Sequence, residues 1–138
     1  MLTKRPPNLE AIPQIFCKYP SVLAVYLFGS YAAGKPRFDS DVDLAIVPRD
    51  EKAREHMLEM MADLIRKVYD RIDLVILDTQ DVVLRFEAVR HNRLLYRTPE
   101  FDPGTYTSRI AREYWDFLPY LNVQRRALKQ RILGHGTP

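Results

Sequence analysis

Three acidic residues and one Gly-Ser pair are the positions in this chain whose types and spacing could do chemistry. Gly29-Ser30 is followed by ten residues and then by Asp41-Val42-Asp43. In an extended strand, side chains two apart share a face, so Asp41 and Asp43 project together while Val42 turns the other way. Two carboxylates on one sheet edge repel each other unless a cation lies between them. Mg²⁺ suits that place, because it prefers hard oxygen ligands and is commonly held by one or two carboxylates together with substrate phosphates. The glycine upstream permits close backbone approach, and exposed N–H groups with the Ser30 hydroxyl offer a cradle for an anion. Carboxylates beside a phosphate cradle imply a metal-bridged nucleoside triphosphate. A third acid, Asp73, lies inside the apolar run Ile72-Asp73-Leu74-Val75-Ile76, where an unpaired carboxylate would be costly to bury. Beside Asp41 and Asp43 it would complete a set able to hold two metal ions, which polarise a phosphoryl group and lower the pKa of an attacking hydroxyl.

These residues need elements to place them. Three short apolar runs rich in β-branched and aromatic residues, Val22–Phe28, Val42–Val47 and Ile72–Leu77, read as buried strands. Apolar residues at Ala53, Met57, Met60, Met61, Leu64, Ile65 and Val68 repeat at helical spacing behind Asp50, a candidate N-cap, so a helix joins the second and third strands. A helix is also expected from Asp81 to His91, and an edge strand at Leu94-Leu95-Tyr96. The segment Thr98-Pro99-Glu100-Phe101-Asp102-Pro103-Gly104 reads as a linker. From Thr105 to Ile132 a long helical pattern follows, with Pro119 placed to kink or split it. The expected organisation is one α+β domain, with residues 1–104 forming its main part and residues 105–138 a helical extension of the same domain.

Composition narrows the class. At 138 residues, 46% hydrophobic and 28% charged, the chain can build one core. Its longest unbroken hydrophobic stretch, Val22–Phe28, is far shorter than the ~20 residues that cross a bilayer. The segment Met1-Leu2-Thr3-Lys4-Arg5-Pro6-Pro7 lacks the apolar core of a secretory signal, so a cytoplasmic location is expected. A single Cys17 and scattered His56, His91 and His135 give neither a disulfide scaffold nor zinc-ligand spacing. Net charge is only +3, too weak a bias to expect direct nucleic-acid binding. Residues 105–138 concentrate six basic and two acidic side chains.

Gly29-Ser30, the ten intervening residues and Asp41-Val42-Asp43 resemble the signature of the DNA polymerase β-like nucleotidyltransferases, and the single-domain length is similar to their minimal branch. The runs Leu84-Arg85-Phe86-Glu87, Arg93-Leu94-Leu95-Tyr96 and Tyr114-Trp115-Asp116-Phe117-Leu118-Pro119-Tyr120-Leu121 are similar to those of adenylyltransferase antitoxins paired with HEPN toxins in prokaryotes. The resemblance covers nearly the whole chain. It implies a small mixed sheet flanked by helices, ATP as substrate, Mg²⁺ as cofactor, and transfer of AMP to a tyrosine hydroxyl of a HEPN ribonuclease toxin, which is thereby neutralised. By matched position Gly29 and Ser30 would bind the triphosphate, Asp41 and Asp43 the metals, and Asp73 would complete the catalytic and metal-binding triad. Relatives often carry an arginine just after the Gly-Ser pair, where this chain has Tyr31-Ala32-Ala33-Gly34-Lys35, which leaves Lys35 or Arg37 to supply a phosphate-binding cation.

Trp115 and Tyr120 fall off the apolar stripe of Tyr114, Phe117 and Leu121, and Trp, Tyr and Arg are the types enriched at interface hot spots. The helix carrying them, continuing through Arg125 and Arg126, is therefore expected to dock the partner protein or a second copy of the chain. Two alternatives stand beside the antitoxin enzyme: a small-molecule nucleotidyltransferase of the aminoglycoside-modifying kind, and an antitoxin that neutralises by binding alone.

Overall fold

In a computed structural model, residues 5–135 are described. Residues 1–4, part of the segment read as lacking a secretory signal, and residues 136–138 at the end of the helical extension lie outside them. Four strands form one sheet: β1 (Val22–Phe28), β2 (Val42–Pro48), β3 (Ile72–Ile76) and β4 (Arg93–Arg97). Their order is β3-β2-β1-β4, with β1 antiparallel to both β2 and β4 and β2 parallel to β3. The sheet is mixed, as expected.

Alternation along the strands divides the core between the two faces. Val25, Leu27, Val42, Leu44, Ile46, Leu74 and Ile76 pack on one side with α1 (Ile12–Phe16) and α4 (Met57–Lys67). Ala24, Tyr26, Ala45 and Val47 pack on the other with residues of α5 (Val82–Val89) and α6 (Pro103–His135). The short α2 (Gly29–Ala32) follows β1 directly. A parallel neighbour needs a crossover, and here α3 (Lys52–Glu55) and α4 carry the chain from β2 to β3.

Several expectations are corrected. The single helix between β2 and β3 is two, separated at His56 (φ −94°, ψ 11°). Asp50 does accept a hydrogen bond from Lys52 N–H at 2.9 Å, but the residue in the cap position is Glu51. The supposed linker is packed: Thr98 N–H donates to the Leu23 carbonyl at 2.9 Å, Phe101 is buried in the second core, and α6 already begins at Pro103. Finally, α6 runs through Pro119 without splitting. The carbonyl that Pro119 leaves without a donor belongs to Trp115, four residues back. Both residues are on the exposed side of the helix, where water can satisfy that oxygen.

Candidate active site

The two ends of the sheet differ in how they are covered. Asp43 and Asp73 share the face that α5 and α6 cover further along, because they alternate with Leu44 and Leu74 on the opposite face. At their own end Asp43 is half-buried and Asp73 exposed. The parallel register places Asp43 directly beside Asp73, and the antiparallel register sets Asp43 opposite Phe28, the last residue before Gly29. The sheet thus brings together three of the positions singled out in the sequence.

Gly29 fits against this pair more tightly than the spacing revealed. Its φ of +72° lies in the left-handed region. A Cβ there would stand 2.0 Å from Asp43 Oδ2 and 2.9 Å from its Cγ. Both features demand glycine. Ser30 and Tyr31 continue into α2, and Lys35 N–H returns to the Ser30 carbonyl at 2.9 Å, closing the turn.

Burial raises the Asp43 carboxyl to about 6, helped by the charge of Asp73, the charge of Asp41 and a hydrogen bond with Asp73. Asp41 and Asp73 both press their charge on Asp43. Asp41 has nevertheless turned toward another partner. Its Oδ1 accepts a hydrogen bond from Arg71 Nε at 3.0 Å. Among the described residues, no three acidic, histidine or cysteine side chains stand close enough to hold one ion in this arrangement. The donor set still fits a hard cation: it is carboxylate oxygen, it is self-repelling, and Asp41 keeps half of its side chain in solvent and can exchange its partner.

Lys35 and Arg37 lie in the exposed loop between α2 and β2. Neither side chain pairs with the acids; the Arg37 contact there is its backbone N–H, which donates to Ser40 Oγ at 2.7 Å. Arg71 is the residue that sequence reasoning missed. A signal was present, since Arg71-Ile72-Asp73 repeats the two-residue spacing of Asp41-Val42-Asp43, and parallel pairing of the two triplets sets Arg71 opposite Asp41.

The acids occupy an open shelf. A cavity of about 520 Å³ lies between α5 and the first turns of α6, lined by Phe86, Val89, Arg90 and Thr107 among others, and none of the three acids lines it.

Residues 10–101 match the polymerase beta, nucleotidyltransferase family. The chain belongs to that family. Over 116 residues this nucleotidyltransferase is 30% identical to the protein adenylyltransferase MntA of Shewanella oneidensis, covering 84% of this chain and 80% of the relative. Its fold is similar to that of a toxin–antitoxin structure with AMP-PNP, at 24% identity and TM-score 0.62, over 91% of this chain and 98% of the other. It is also similar to an MNT antitoxin in complex with a tri-AMPylated Shewanella oneidensis HEPN toxin, at 23% identity and TM-score 0.57, over 91% and 96% of the two chains. These two likenesses establish the nucleotidyltransferase fold across both the sheet and much of the long helix. Among the described residues, no helix of this nucleotidyltransferase is long and apolar enough to cross a membrane.

Proposed function

We propose that this nucleotidyltransferase is an antitoxin that acts in the cytoplasm, transferring AMP from Mg²⁺–ATP to a tyrosine hydroxyl of a HEPN-type ribonuclease partner and so neutralising it. The observation that carries this reading is the constellation of Gly29 pressed against Asp43, with Asp73 alongside in register. Similarity to an adenylyltransferase over most of both chains supports AMP as the transferred group.

Asp41, Asp43 and Asp73 would hold Mg²⁺, which when bound supplies charge neutralisation on the triphosphate and polarises the α-phosphoryl group. Gly29 brings the backbone of α2 close to these acids, and the first-turn N–H groups, which have no acceptor within a helix, cradle the phosphates with the Ser30 hydroxyl. Lys35 and Arg37 extend from the adjoining loop as further cations. The tyrosine oxygen attacks the α-phosphorus, the bond to pyrophosphate breaks, and Asp73, the more exposed of the neighbouring pair, takes the hydroxyl proton. The open shelf favours a protein acceptor, which brings its own surface, over a small molecule that needs an enclosing pocket.

The partner-docking element in this reading is the free end of α6, which forms one domain with the sheet. Trp115 is 64% exposed and Tyr120 68%. Val123, Leu128 and Ile132 are also exposed, and Arg125, Arg126, Lys129 and Arg131 are interspersed with no acid from residue 117 to 133. Such a surface suits an apolar seat with acidic flanks.

The test is to incubate the protein with Mg²⁺, α-labelled ATP and a HEPN ribonuclease, taking first any HEPN protein found encoded next to this one, and to weigh that partner intact. A gain in AMP increments that is lost with Asp41→Asn/Asp43→Asn is the expected result. Neutralisation by the double variant would instead establish an antitoxin that works by binding, and AMP transfer to an aminoglycoside but not to the protein would establish the small-molecule enzyme. Trp115→Ala with Arg126→Glu should abolish co-purification with the partner while leaving nucleotide binding intact.

A further inference from the structure

We propose that Arg71 is a positioning residue of the nucleotide site: it holds the Asp41 carboxylate while the site is empty and, when a metal-bound triphosphate arrives, releases it and pairs with phosphate oxygens. The inference rests on the reading of Asp41, Asp43 and Asp73 as metal ligands.

The placement comes from the backbone. Val42 N–H donates to the Arg71 carbonyl at 2.9 Å, and the next residues pair as Val42 with Ile72 and Asp43 with Asp73. Arg71 is thereby fixed at the start of β3, one step before the register that aligns the two acids. Its guanidinium Nε reaches Asp41 Oδ1 at 3.0 Å. Arg71 therefore stands, at the start of β3, against the acid that must turn inward.

The pair is built for exchange. The side chains are 43% and 50% exposed, so neither charge is committed to a dry environment and solvent screens their attraction. A divalent ion competes for the same carboxylate with twice the charge. The guanidinium that loses Asp41 stays ionised and presents a planar donor fork matched to phosphate oxygens. Lys35 and Arg37 make no side-chain contact with the acids, so Arg71 is the cation already bound to the triad among the described residues.

Two consequences run in opposite directions, and a purely structural role would not separate them. Removing Arg71 frees Asp41 and lowers the positive charge at the site, so a divalent ion alone should bind more tightly. The same change removes a phosphate partner, so nucleotide should bind more weakly. The measurement is calorimetry on the full chain, with Mn²⁺ alone and then with an α,β-methylene ATP analogue at saturating Mg²⁺. For Arg71→Ala we expect several-fold tighter Mn²⁺ binding and at least tenfold weaker analogue binding, with Arg71→Lys recovering part of the analogue affinity. Unchanged analogue affinity in Arg71→Ala, or Mn²⁺ and analogue affinity falling together in both variants, would overturn the proposal. Failure of the site reading itself looks different: the unmodified protein would bind no analogue, or Asp43→Asn would bind it as well as the unmodified protein does.

Discussion

A methyl group at position 29 would meet Asp43 Oδ2 at 2.0 Å on a backbone already at φ +72°, so the Gly29→Ala variant has to move the carboxylate that the proposed chemistry needs. Left-handed backbone at a non-glycine residue costs about 1 kcal/mol, a modest loss of stability. Displacing Asp43 should be far more harmful to function, lowering AMP transfer by at least ~10-fold in a single-turnover assay while the circular dichroism spectrum is unchanged. Asp43 itself is held at a cost in stability, as its proposed role requires. With its carboxyl raised to about 6, chiefly by burial and by Asp73, Asp43 is still mostly ionised at neutral pH, and carrying that charge costs the folded chain more than the unfolded one. Asp43→Asn should therefore stabilise the metal-free protein by about 1 kcal/mol once solvent screening is allowed for, seen as a raised Tm in chelator. Added Mg²⁺ should raise the Tm of the unmodified protein and leave that of the variant nearly unchanged. Asp41, Asp43 and Gly29 were legible in the sequence because their spacing is local, and Asp73 because an acid inside an apolar strand is conspicuous. Arg71 was not, since its position against Asp41 exists only once two distant strands are in register.

At the scale of elements, side-chain contacts pin the helices that flank the sheet. On one face, Tyr19 OH donates to Asp63 Oδ2 at 2.7 Å, and Lys18 and Arg66 pair with the same carboxylate, tying α4 to the turn before β1. The hydrogen bond from Tyr19, then the two cations, hold the Asp63 carboxyl below its ordinary range. A lowered pKa means that this stabilisation is complete above the unfolded value of about 3.9 and is lost as pH falls through the folded one. Asp63→Asn should thus lower stability by about 1 kcal/mol near neutrality, and the difference from the unmodified protein should begin to shrink in urea melts below about pH 3.9 and vanish only once the pH has passed below the lowered, folded value. On the other face, the Phe86 and Tyr114 rings stack with centroids 3.9 Å apart, and Arg85 Nη1 donates to Glu113 Oε2 at 2.8 Å, joining α5 to α6. Phe86→Ala should cost about 2 kcal/mol, because the ring is half-buried and pairs with an aromatic partner. Strand identity and helix periodicity were legible from apolar spacing alone. Pro119 misled because the rule against proline inside helices weighs a lost hydrogen bond as if the freed carbonyl were buried, and here Trp115 is exposed. The prolines and glycine of residues 98–104 suggested a linker, while Phe101 within them marked a core position.

For the whole molecule, α6 sets the shape. Its 33 residues at about 1.5 Å each span some 50 Å, and from residue 122 to 133 every side chain is exposed. Truncation after Leu121 should therefore leave the Tm within about 2 °C, since little buried surface is removed, and should abolish capture of the HEPN partner in a pull-down. The sheet order has a different consequence, for the time course of folding. Asp73 reaches Asp43 only after the crossover spanning residues 49–71 has closed and β3 has docked parallel to β2. Non-local pairing of this kind has its loop-closure entropy to overcome before any contact compensates it. A one-residue slip would send Asp73 to the opposite face, into the α1–α4 core. A chain emerging from the ribosome can thus form the β1–β2 hairpin, with Gly29, Ser30, Asp41 and Asp43 all present, and still lack the third acid of the proposed site. In the proposed mechanism, catalytic competence therefore comes late in folding, because half-made or misregistered copies lack the Asp73 carboxylate that would take the hydroxyl proton.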